Sequence, residues 1–298
     1  MERRPPLDRV LRTAEGRLLL GWRLALFLVL TFSVQGVLTA LLPSWLLAGT
    51  IAVLVGAVVA GVALLALEGR SPGALGFYVR WSALSESGLG LMLGTAVALA
   101  VVFLIALSGG LRWASDEGTA LDWVFGGLGA LAFLALPAAA EEALFRGYPF
   151  QALTQSWGPL ASLAVTAVLF AGLHLGNPGV TVIGTLNVMA AGVFLGVVYL
   201  RTSSLWWATG VHLGWNWATG YLADVPVSGL ELLDAPLYEG VPRGPDWLGG
   251  GGFGPEGSIV ATAVMIGASV WCWRAKWLRS SEAAIAVRPL VLIEERGA

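Results

Sequence analysis

Six residues carry groups from which hydrolytic chemistry can be built: Glu141, Glu142, Arg146, His174, His212 and Asn216. Two adjacent carboxylates and an arginine fall in Pro137-Ala-Ala-Ala-Glu141-Glu142-Ala-Leu-Phe-Arg146-Gly147, at the end of a long apolar run. The only two histidines of the chain sit in apolar surroundings of the same kind. His174 closes the run that begins at Leu163, and His212 lies in Val211-His-Leu-Gly-Trp-Asn216-Trp. Ionisable groups at membrane depth are costly and mark functional sites by default. Glu142 and Arg146 are four apart and share a helix face, a spacing that serves a structural ion pair as well as a functional one. Glu141 is turned by about 100° from Glu142, so one arginine serves both carboxylates poorly. A carboxylate left over in an apolar setting suits a general base. His212 and Asn216, also four apart, form one polar patch.

A glutamate and two histidines activate water in either of two ways. They can hold zinc, here through Glu141, His174 and His212, as in two-histidine, one-glutamate sites. Alternatively a carboxylate and a histidine deprotonate water while the remaining polar groups hold the oxyanion. The plain reading is that such groups only bond helices together. No His-Glu-x-x-His and no Gly-x-Ser-x-Gly occurs, and no serine or cysteine stands near either histidine in sequence. Ser203 and Ser204 read as helix caps, and the single Cys272 as a small apolar helix residue.

The elements that position these groups must be membrane helices. Of 298 residues, 57% are hydrophobic and 12% charged, against about 25% charged in a soluble domain; mean hydropathy is +0.77. Nothing in the charge pattern suggests nucleic acid. The spanning requirement of about 20 apolar residues gives eight segments near 18–41, 46–67, 87–108, 122–146, 157–175, 179–200, 204–222 and 257–278. The expected fold is therefore all-α, a polytopic bundle of about eight transmembrane helices forming a single integral membrane domain over 1–298. Of 17 basic residues, all but Arg23, Arg112 and Arg243 fall on one side if the N-terminus is inside, a positive-inside pattern. Both termini are then expected in the cytoplasm, with the protein in the cytoplasmic membrane. Arg3, Arg4, Arg9, Arg12 and Arg17 resemble a signal-peptide start, but the following run is too long and lacks a cleavage site, so a retained helix is expected. Arg23 is expected to snorkel to the interface. Residues 71–81 read equally as an interfacial segment or a turn. The acidic, glycine-containing stretch 223–257 reads as a flexible extracytoplasmic linker without chemistry. The tails 1–17 and 280–298 read as cytoplasmic, the second as polar and partly disordered. No internal repeat of the transporter kind is found.

The series Glu141-Glu142-x-x-x-Arg146, Phe170-x-x-x-His174 and His212-x-x-x-Asn216 resembles, in order and spacing, the three motifs of the CAAX-protease and bacteriocin-processing (Abi) family. Asn187 to Gly192 and Gly196 to Trp206 resemble the family's segment before its last motif, so the likeness covers about 121–220. It implies an intramembrane peptidase of about eight helices whose partners are the bilayer and a peptide or lipidated protein substrate. Glu141 would be the general base, polarising water with His174; His212 and Asn216 would hold the oxyanion; Glu142 and Arg146 would orient the site. Prokaryotic members are associated with bacteriocin maturation or self-immunity. Metal dependence is left open by the resemblance, with the metal-free site the slightly better fit and zinc the alternative.

One difficulty follows from the spans. His212 lies about eight residues, or ~12 Å of helix, from the inner side, and His174 about 17 residues, or ~25 Å. For the motifs to meet, the fourth helix must run on past Glu142 toward Gln151, and the turn 175–179 must be covered by protein. Two rivals to the peptidase are a non-catalytic immunity or scaffold protein of the same fold and, less favoured, a small transporter that uses the same polar residues as an ion path.

Overall fold

A computed structural model describes residues 10–13, 16–42 and 47–290. Residues 1–9, 14–15 and 291–298, parts of the two expected tails, and 43–46 lie outside the described residues. The helices are α1 (Leu20–Leu41), α2 (Ala48–Leu67), α3 (Trp81–Leu107), α4 (Ala120–Phe145), α5 (Tyr148–Trp157), α6 (Pro159–Leu173), α7 (Val182–Thr202), α8 (Leu205–Trp217), α9 (Asp246–Gly249), α10 (Ile259–Arg274) and α11 (Glu282–Ala286). Each of the eight expected segments contains a helix. Among the described residues, five helical stretches are long and apolar enough to cross a membrane: α1, α2, α3, the α4–α5 stretch and α7. The expectation of eight spans is not met. Helices α6, α8 and α10 have 15, 13 and 16 residues, short of the about 20 that a span needs.

The outward faces are those of a protein solvated by lipid. In α1 only Arg23, Phe27 and Thr31 are buried, while Val29, Phe32 and Leu41 face outward. In lipid such faces need no protein cover, and packing relies instead on close backbone approach. Helices α3 and α8 show this most clearly. A Cβ on Gly94 would stand 2.0 Å from the Val211 carbonyl oxygen, and one on Gly214 would stand 2.3 Å from that of Leu91. The backbone of α8 is thus pressed onto α3 with no side chain between them.

Two readings, those of Arg23 and of 223–257, are overturned, and those of 71–81 and of 280–290 are sharpened, all through contacts between residues remote in sequence. Arg23 does not snorkel. It is 3% exposed, pairs with Glu68 at 2.9 Å, and bonds the Tyr148 hydroxyl and Gln155 Oε1 at 2.8 Å each, because burial with full pairing replaces the route to water. Residues 71–81 form a turn with a core function: Gln151 Nε2 donates to the carbonyls of Ala74 and Leu75. Residues 280–290 are folded, with Leu290 N–H donating to Gln151 Oε1 at 2.8 Å.

The stretch 223–257 is not a flexible linker but a cap. It supplies strand β2 (Tyr238–Pro242), antiparallel to β1 (Leu111–Ser115), a small ribbon on what is otherwise the expected all-α bundle. Val225, Val227, Ala235 and Phe253 are buried in it. Its glycines serve close approach: Gly254 has φ +82, and a Cβ there would stand 1.9 Å from the Pro226 carbonyl oxygen. The same cap touches the turn 175–179, since a Cβ on Gly229 would stand 1.9 Å from the Pro178 carbonyl oxygen and Asn177 Nδ2 donates to the Ser228 carbonyl, but Leu175, Gly176, Pro178 and Gly179 stay exposed, so the expected cover is only partial.

Gly94→Ala and Gly214→Ala should each destabilise the folded protein by about 1–3 kcal/mol through overpacking. Gly88→Ala, in the same α3 but facing open space, should be neutral or slightly stabilising. Thermal unfolding in detergent checks both.

Candidate active site

The five helices from α4 to α8 bring the motifs together. Helix α4 starts at a capping box in which Thr119 and Asp122 satisfy each other's backbone N–H. It carries Glu141 and Glu142 in its last turns and ends where Arg146 and Gly147 both donate their N–H to the Glu142 carbonyl. A Cβ on Gly147 would lie 2.2 Å from the Ala143 carbonyl oxygen, so glycine permits the break and α5 restarts at Tyr148. The expected continuation toward Gln151 therefore exists as two helices with a break after the carboxylates, not as one.

Glu142 is fully buried, and its Oε1 is shared between Arg146 Nη1 at 3.0 Å and His212 Nδ1 at 2.9 Å. Arg146 is also fully buried. Its Nη2 donates to the Gly192 carbonyl of α7 at 3.0 Å, and its guanidinium lies 4.6 Å from the Phe170 ring centroid. The pair thus ties α4, α6, α7 and α8 at one point. Glu141, one residue earlier, faces elsewhere: its side chain is 35% exposed and its Oε2 lies 3.8 Å from His212 Nε2. That oxygen is shielded from solvent and has no hydrogen-bond partner among the described residues.

His174 caps the C-terminus of α6, and its Nδ1 meets the Phe170 carbonyl at 2.8 Å. A carbonyl only accepts, so Nδ1 carries the proton and the lone pair of a neutral ring is on Nε2. The same argument, applied to the Glu142 carboxylate, puts a proton on His212 Nδ1.

Glu141, His174, His212 and Asn216 line one cavity of about 130 Å³, while Glu142 and Arg146 stand behind it. The volume holds about four waters at liquid density, enough for a nucleophile and a side chain. Helix α8 begins at the buried Ser203 and Ser204, inside the bundle, and His174 at the end of α6 lines the same cavity as His212. Asn187, part of the sequence resemblance, is structural: it bonds the carbonyls of Glu256 and Ser258 and accepts from Thr262. The sequence reading missed the cap residues Val227, Ser228 and Glu256, which line the same cavity. Nothing local in 223–257 signals this.

Residues 123–218 match the family model of Rce1-like type II CAAX prenyl endopeptidases. The matched stretch runs from within α4 through α8 and contains all six candidate residues. It agrees with the CAAX-protease resemblance of the motifs. The matched family is a protease family, which supports peptidase activity, and its substrates point to a peptide or prenylated protein in a membrane. With five apolar stretches of spanning length, the chain reads as a multi-pass integral membrane protein. No curated protein and no solved structure gives a significant match.

The zinc alternative requires three ligands to converge. Among the described residues, no three His, Cys, Asp or Glu side chains do so. As arranged, the described side chains do not form a three-ligand site for the ion.

Arg146→Met should cost about 3–5 kcal/mol, because it leaves the Glu142 charge buried and partly unpaired. Glu142→Gln/Arg146→Met should recover more than half of that loss. Unfolding midpoints of the two variants in detergent check the coupling.

Proposed function

We propose that the protein is an intramembrane endopeptidase that hydrolyses a peptide bond near the C-terminus of a membrane-associated substrate, without a metal. One observation carries the reading: Glu141, His174, His212 and Asn216 face a single cavity, and the ion pair that holds them is excluded from it. Glu141 is the general base, and His174, whose Nε2 is the accepting nitrogen, helps orient and deprotonate the attacking water. The hydroxide adds to the scissile carbonyl, and the proton taken up by Glu141 then passes to the leaving amine. His212 Nε2 and the Asn216 amide donate to the oxyanion. His212 does this as an imidazolium, in which case the formal charges of Glu141, Glu142, Arg146 and His212 sum to zero. Such neutrality suits a site of low dielectric.

The bundle end that gathers Arg70, Arg80, Arg201 and the segment 275–290 is proposed as cytoplasmic, with the cap on the opposite side. Arg201 bonds the carbonyls of Ala275 and Leu278 there, and Arg70 that of Arg288.

The test reconstitutes the wild type with lipidated and unlipidated peptides and reads products by mass spectrometry. Glu141→Gln should lower kcat by about 10²–10⁴-fold, the usual worth of a general base, with an unchanged unfolding midpoint. Exhaustive chelation should leave the wild type active. Cleavage that survives Glu141→Gln, or that chelator abolishes and zinc restores, contradicts the proposal.

A further inference from the structure

The cap places in the catalytic cavity a carboxylate that the three motifs do not contain. Glu256 lies outside the matched segment, is 5% exposed, and lines the same cavity as Glu141. Its two oxygens take different partners: Oε1 accepts the Trp215 indole N–H at 2.8 Å, and Oε2 accepts the Ser228 hydroxyl. Its main-chain carbonyl accepts from Asn187 Nδ2 at 2.7 Å. One residue therefore joins α7, α8 and the body of the cap.

Trp215 lies three residues after His212 and directly before Asn216. At that spacing its ring shares a helix side with His212. On its other flank α8 meets α3 through Gly210 and Gly214, where backbone touches backbone. Such a contact permits close approach, and across it Thr95 Oγ1 donates to the Gly214 carbonyl. On the side that faces the cavity, the Trp215–Glu256 hydrogen bond adds a second tie beside the one from Glu142 to His212. Burial of a carboxylate is costly unless hydrogen bonds satisfy it, so Glu256 and its donors hold one another in place.

We infer that Glu256 is a positioning residue: through Trp215 it fixes the rotation of α8 that directs His212 and Asn216 into the cavity, and through Ser228 it fastens the 223–257 cap over them. The kinetic half of this inference rests on the peptidase reading, and the fastening half on geometry alone.

The full-length wild type, E256A, E256Q, W215F and E256A/W215F are compared in lipid nanodiscs. The readouts are kcat and KM on a peptide that the wild type cleaves, together with hydrogen exchange over 205–222 and 223–257. E256A and W215F should each lower kcat about tenfold, the worth of one buried hydrogen bond, with KM little changed. The double variant should fall no further than either single one, since both remove the same bond. E256Q keeps a carbonyl acceptor for Trp215 and should retain most of the activity. Exchange in both segments should rise in E256A and in W215F. Wild-type kcat in E256A, or additive losses in the double variant, would overturn the positioning role while leaving the peptidase reading intact. If E256A does not assemble, W215F beside W215F/E256Q makes the same comparison. A wild type that cleaves none of the peptides ends the peptidase reading and the kinetic role together. Exchange then decides the fastening alone, and unchanged exchange over 223–257 in E256A overturns it.

Discussion

The Glu142 carboxylate sits where no water reaches it, and the site is arranged around that fact. A buried charge of this kind is tolerated only when partners surround it. Arg146 supplies the counter-charge from one turn further along α4, and His212 supplies a second donor from α8. Arg146 is itself held by the Gly192 carbonyl and the Phe170 ring. Four helices thereby become interdependent, and the direction of each side chain in the cavity follows. Glu141, next in the chain, is left out of the pairing and turned toward open volume. Adjacent glutamates thus have opposite fates because the helix separates them by about 100°.

Two features of the scaffold make this arrangement possible. The α4–α5 break at Gly147 lets the ion pair sit at a helix end, with Arg146 turning back toward α7. The glycine contact between α3 and α8 brings α8 in without bulky side chains, which leaves its other side free to carry His212, Trp215 and Asn216. Two of the three helices too short to span hold the site. α6 presents His174 from its C-terminus, and α8 rises from the Ser204 cap with His212 in its interior. The cap then covers what would otherwise be an open end.

Much of this was legible in the sequence because the signals are local. Apolar runs located the eight helices α1 to α4, α6 to α8 and α10 to within a few residues, apart from an earlier start for α3, while the short α5, α9 and α11 had no run of their own, and spacing alone paired Glu142 with Arg146. The two histidines were conspicuous because nothing else of their kind exists in the chain. Where the reading failed, the deciding partner was far away. The stretch 223–257 looks like a linker because its glycines and acids are typical of solvated loops, yet Gly254 is set against Pro226, and Glu256 is bonded to Trp215. Arg23 appeared free to snorkel because Glu68, Tyr148 and Gln155 are elsewhere in sequence. Helix count was overestimated because apolar composition does not say whether a segment crosses the bundle or ends inside it.

The central claim is that Glu142 holds His212 through Nδ1 and thereby turns Nε2 toward Glu141 and the cavity. With only two histidines in the chain, ¹⁵N-histidine NMR of the full-length protein in lipid reads this directly, with His174→Gln used for assignment. The account predicts a proton on His212 Nδ1 that couples across a hydrogen bond to a carboxylate and moves when Glu142 is replaced by glutamine. A neutral His212 with a bare Nδ1, unaffected by that replacement, would contradict it.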